Sequence, residues 1–122
     1  MRITTLVLAT LLGFFALVGG AQATVLRVVV VQTNDATAYM KDLEAIRAHN
    51  ARIGNKAVLR TWRARFAGPE AGAIVVAIEY ADMAAFAAED ARMRADAELS
   101  ALLKAMDGRR KIVSDSLYEE MK

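Results

Sequence analysis

Apolar and polar positions along the chain fall into blocks whose period changes. Val25 to Gln32 (VLRVVVVQ) is apolar on both alternating faces except at Arg27, the pattern of a strand buried in the middle of a sheet. Thr33, Asn34 and Asp35 then offer helix N-caps. From Ala36 onward Tyr39, Met40, Leu43, Ile46, Asn50 and Ile53 recur at three- and four-residue steps. That stripe predicts a helix of about five turns, closed where Gly54 can adopt a left-handed conformation.

The next block, Ala57 to Phe66 (AVLRTWRARF), alternates differently. Val58, Arg60, Trp62, Ala64 and Phe66 share one face, while Leu59, Thr61, Arg63 and Arg65 share the other, which predicts a half-solvated or edge strand. Gly68, Pro69 and Gly72 supply a turn. Ala73 to Tyr80 is again apolar on both faces until Glu79. Asp82 is placed to cap a helix that would turn Met83, Phe86 and the alanines 84, 87, 88 and 91 to a sheet. Asp96 caps a further helical stretch, with Leu99, Leu102, Leu103 and Met106 on one stripe and Gly108 at its end. Arg109 to Tyr118 reads as a last strand of mixed polarity.

The order is strand, helix, strand, strand, helix with an extra segment, strand. The first and third strands read as buried and the second and fourth as edges. This predicts an α+β, ferredoxin-like βαββαβ domain with a four-stranded antiparallel sheet ordered 4-1-3-2 and helices on one face. Apolar residues alternate onto the other face too, so something must cover it. A second copy of the sheet is the economical answer, giving an isologous homodimer around a shared interior.

The N-terminus changes how the composition is read. Met1-Arg2, the uncharged run from Ile3 to Val18 and the small-residue sequence before Thr24 predict a signal peptide over residues 1–23 and a single domain over 24–122. An uncleaved anchor is the competing reading, because Ile3 to Ala23 gives 21 uncharged residues. Cleavage would leave 99 residues of net charge +1, against +2 for the whole chain. With no cysteine there is no disulfide framework, zinc-thiolate site or thiol nucleophile. Export without disulfides points to a periplasm, and after cleavage to no membrane association.

The run AIVVAIEYADMAAFAAEDARMRADAELSALLKAM, a strand into Tyr80 followed by an Asp-capped helix, a short break and a leucine-rich turn, resembles the dimeric α+β barrel superfamily. It is most similar to the NIPSNAP-like and antibiotic-biosynthesis-monooxygenase-like branches. The resemblance covers Val25 to Tyr118 in pattern and length. It implies a homodimer, and a range of activities from cofactor-free monooxygenases through haem-degrading and haem-binding enzymes to muconolactone-isomerase-like enzymes and members with no known reaction. No catalytic set transfers residue by residue. The iron-ligating histidine of the haem-binding members has no counterpart on the second helix, so no cofactor is expected, with haem left open.

The candidate residues each carry two readings. His49, the only histidine, is either a surface or boundary residue of the first helix or an acid–base group or ligand contact. Trp62 is either a core or interface aromatic or the flat wall of an aromatic ligand site. Arg60 is either an edge-strand charge or a cation for a carboxylate or oxyanion. Glu79 either pairs with an arginine such as Arg63 or serves as a base, and Tyr80 points to the opposite face as a ligand contact. Tyr39 and Tyr118 read as packing residues with hydroxyls at the surface. The run Arg109-Arg110-Lys111 is balanced by nearby carboxylates, so no nucleic-acid footprint exists, and no phosphate loop or nucleophile elbow is present. The expected function is binding of a small hydrophobic or aromatic ligand in a pocket between sheet and helices. The alternative is a cofactor-independent monooxygenase or isomerase acting on a small aromatic or quinone-like substrate.

Overall fold

A computed structural model describes residues 23–66 and 68–122. The elements are β1 (Val25–Gln32), α1 (Ala36–Arg52), β2 (Val58–Arg63), a 3-10 turn (Gly68–Glu70), β3 (Ile74–Tyr80), α2 (Met83–Ala95), α3 (Ala97–Asp107) and β4 (Lys111–Glu119). All strand pairs are antiparallel and the order is β2-β3-β1-β4, the expected 4-1-3-2 named from its other edge. The two strands that are apolar on both faces are central, where neighbouring strands on either side shield them most. Apart from its last position, the expected signal peptide (residues 1–23) lies outside the described residues. Among the described residues no helix is long and apolar enough to cross a membrane.

Each helix starts where a carboxylate can receive its free N–H groups. Asp35 accepts from Ala38 N (3.0 Å), Asp82 from Ala85 N (2.7 Å) and Asp96 from Leu99 N (3.0 Å). Gly54 takes φ +74° just after α1, the left-handed geometry expected of it, whereas Gly108 ends α3 with φ −72° and so needs no glycine for its backbone.

Register assigns the two sheet faces. Val29, Val31, Ile74 and Val76 face the helices and pack with Tyr39, Leu43 and Ile46 of α1 and Leu99 and Met106 of α3. The other face has Leu26, Val28 and Val75 half-buried at its centre, with Val58, Trp62 and Tyr118 exposed toward its edges.

Two expectations are corrected. Helix α2 buries no residue fully, and its alanines 84, 87, 88 and 91 face outward with Met83. Its inner side is Ala85, Phe86, Glu89, Asp90 and Met93. Phe86 meets the Tyr80 ring edge-on, centroids 5.2 Å apart at 84°, and Met93 packs against the core. A phenyl and a thioether remove far more apolar area from water than methyl groups do, so they set the rotation of the helix. Tyr39 is the second correction: it has no exposed surface and its hydroxyl is buried. It lies on the same α1 stripe as Leu43 and Ile46, over the centre of the sheet.

Candidate functional site

Between the sheet and the helices lies a cavity of about 150 Å³. Its walls are mainly aliphatic: Val29 and Val76 from the sheet, Leu43 and Ile46 from α1, Leu99 and Leu103 from α3. A space of about this size in an apolar interior accepts a molecule the size of benzene. Three of its lining residues also have a buried polar atom with no protein partner: the Tyr39 hydroxyl, Asn50 Oδ1 and Arg110 Nε.

The cavity has a charged side where β1 meets β4. Arg27 donates through Nε and Nη2 to the two carboxylate oxygens of Asp115, at 2.9 and 2.7 Å. This two-pronged pairing fixes the plane of the guanidinium. The bond to Asp115 holds Arg27 firmly protonated against the cost of its burial, and the same bond holds the Asp115 carboxyl below its ordinary range. Tyr80 also lines the cavity. Burial pushes its phenol pKa up; Arg27 works against this, while Glu89, Asp90 and Asp115 add to it. The hydroxyl therefore stays protonated at neutral pH and is available as a donor. One carboxylate oxygen of Glu89 receives Arg92 Nη1 at 3.3 Å, and the other is buried without a protein partner. Chemically the arrangement offers an apolar chamber with hydrogen-bond donors on its walls and a cation clamped beside it. Among the described residues no cluster of three His, Asp or Glu residues suits a metal ion.

The structure separates the residues picked from the sequence into two groups. Arg60, Trp62 and Glu79 share a face, as their alternation requires, but it is the face without helices, so none of them lines the cavity. Glu79 approaches Arg60 Nη1 at 3.7 Å and not Arg63, which alternation puts on the opposite side. Trp62 is 59% exposed. Tyr80 and His49 are on the helix side, and of these only Tyr80 lines the cavity.

His49 is buried rather than at the surface. Its Nε2 donates to Asp96 Oδ2 at 2.5 Å, and Nδ1 lies 3.3 Å from Glu98 Oε2 and 3.4 Å from Arg52 Nη2. Asp96 is also the cap of α3; the Leu99 N–H and then the His49 ring hold its carboxyl below the ordinary range. The imidazole thus ties the end of α1 to the start of α3, a role that its solitary position in the sequence did not reveal.

Arg27, Asp115, Tyr39 and Arg110 are the site residues that sequence reasoning missed. Only Arg27 left a signal, as the one charge inside an otherwise apolar central strand. Asp115 alternates with serines on an edge strand, where a carboxylate is unremarked.

No protein-family model matches the chain, and no curated protein matches it. Among solved structures it is similar to a protein from Bacteroides thetaiotaomicron, described as a conserved protein of unknown function and a possible oxidoreductase. The two superpose with a TM-score of 0.54 over 82% of this chain and 100% of the other, at 14% identity. The likeness is one of fold.

Proposed function

We propose that this chain binds a small apolar molecule, of about one ring, in the cavity between its sheet and helices, and that it does so as a homodimer of the dimeric α+β barrel type. The observation that carries the ligand reading is the cavity itself, about 150 Å³ with aliphatic walls and a fixed charged pair on one side. Pockets of this kind take their affinity from apolar burial and their orientation from a few polar groups. Titration of the protein with benzene, followed by chemical shifts of the Leu43, Ile46 and Leu103 methyl groups, is expected to show saturable binding that Leu103→Phe abolishes. A protein whose methyl shifts do not respond to benzene would sink this reading.

A second copy is the occupant we infer for the bare sheet face. Its half-buried aliphatic centre and its exposed Trp62 and Tyr118 leave apolar surface that a second copy would bury. The Arg60 and Glu79 pair on the same face offers both signs of charge to a symmetric mate. Sedimentation at micromolar concentration is expected to give a dimer; a monomer there removes the barrel arrangement. Export belongs to the same reading, with cleavage before Thr24 expected in N-terminal sequencing of a periplasmic fraction.

The enzymatic alternative, a cofactor-independent monooxygenase or isomerase, draws support from Tyr80, a buried phenol donor able to steady a developing oxyanion beside the fixed Arg27–Asp115 pair. Its fold neighbour's description as a possible oxidoreductase points the same way. Oxygen uptake with hydroquinone that is lost in Arg27→Met would favour it over simple binding. His49 is not placed to hold a haem iron in this cavity, because its ring nitrogens face carboxylates and the residue does not line it.

A further inference from the structure

Resting on the cavity reading above, we propose that the occupant is a neutral, phenol-sized molecule bearing an acceptor oxygen, and that Tyr39 and Arg110 select it over a plain hydrocarbon. Tyr39 has no exposed surface, lines the cavity and carries a buried hydroxyl with no protein partner. A buried hydroxyl without a partner is destabilising, and phenylalanine would fill the same position without that penalty. A tyrosine here makes physical sense when something entering the cavity completes the bond. Arg110 repeats the pattern, with its Nε buried and unpartnered on the same cavity.

The two residues start from the same end of the sheet. Tyr39 is in the first turn of α1, just after β1, and Arg110 immediately precedes Lys111, which pairs with Gln32 at the end of β1. Arg109 next to it bonds Asp42 of α1 and receives Thr33 Oγ1 at its carbonyl, which pins this corner together. Asn50 lies eleven residues further along α1, about 16 Å by the helical rise, so its backbone is near the other end of that helix.

Charge decides the class of oxygen. Arg110 Nη2 is already paired with Asp107 at 3.2 Å, and Arg27 with Asp115. Each cation at the cavity therefore has its own carboxylate, leaving no net positive charge for an anion. What Tyr39 and the Arg110 Nε–H lack is a neutral acceptor.

The full-length protein is titrated with benzene, phenol and benzoate by calorimetry, alongside Tyr39→Phe and Arg110→Lys, each checked for folding by circular dichroism. Lysine keeps the charge but has no Nε–H. The expected result is phenol binding about tenfold or more tighter than benzene, the spacing of one well-made hydrogen bond, with benzoate weaker than phenol. Tyr39→Phe should bring the phenol-to-benzene ratio near one while benzene still binds, and Arg110→Lys should reduce it. Equal affinities for phenol and benzene in the unmodified protein would overturn this selectivity and leave the cavity reading standing. Failure of all three ligands would overturn both. Tightest binding of benzoate would overturn the neutral class. Should Tyr39→Phe not fold, the wild-type ratio and Arg110→Lys still decide.

Discussion

The two faces of the sheet are built from the same four strands by the same alternation, yet they treat their charges in opposite ways. On the helix-covered face Arg27 and Asp115 share two short hydrogen bonds, with side chains 28% and 38% exposed. On the bare face Arg60 and Glu79 stand 3.7 Å apart at 61% and 42% exposure. The first pair has one geometry, because a fork of two bonds fixes it. The second is a loose pair screened by water and is worth little to the fold of one subunit. A charge in a strand is therefore a poor marker of a site by itself. What marks it here is the partner that holds it still.

Removing core from the covered face should have the largest effect. Leu43→Ala is expected to cost about 2–5 kcal/mol in urea unfolding at any protein concentration. Trp62→Glu on the bare face should act through association instead, so that its effect on melting grows with protein concentration. A concentration-independent loss of the same size at Trp62 would mean that the residue supports the subunit itself and that the contrast between faces is misplaced.

His49→Ala should cost about 1–3 kcal/mol, since it strips Asp96 of a buried partner and unties α1 from α3. If chemical unfolding shows no loss, that link is not stabilising.

The acid limb of stability comes next. The folded Asp115 carboxyl is held below its ordinary value of 3.8, chiefly by the Arg27 bond. The unfolded chain then binds more protons than the folded one as pH falls through this range. The contribution is full above the ordinary value and is lost as pH drops through the lowered one. Asp115→Asn should flatten that acid limb by about 1 kcal/mol or less, given the solvent around the pair. An unchanged slope would leave the loss to Asp96, whose carboxyl is lowered in the same sense.

Arg60→Ala should be the mildest, within about 0.5 kcal/mol for the isolated subunit. A larger drop in dimer melting would tie Arg60 to the subunit contact.

Much of the architecture was legible in the chain because burial on two faces writes a distinct pattern. VLRVVVVQ and AIVVAIEY could only be central, and Asp35, Asp82 and Asp96 fell where helices needed caps. The rotation of α2 was not legible, since a run of alanines gains little by facing either way and two larger residues decide the matter. The candidate site was legible only at Tyr80 and, faintly, at Arg27. Tyr39 on α1, Arg110 on the turn before β4 and Asp115 on β4 converge only through the antiparallel register. Arg60 and Trp62 do lie together as their spacing demanded, but the sequence could not say on which side the helices would settle.

The register of β1 against β4 shifts between Val30 and Val31, where Ser114 and then Ile112 are the partners and Val113 is left over. A bulge of this kind bends a strand and makes its outer edge a poor template for another strand. At the opposite border β2 ends after six residues. A molecule with an apolar sheet face to bury runs the hazard of joining its neighbours edge to edge and growing into fibres. Here the irregular border at β4 and the short one at β2 discourage lateral growth while leaving the broad face open.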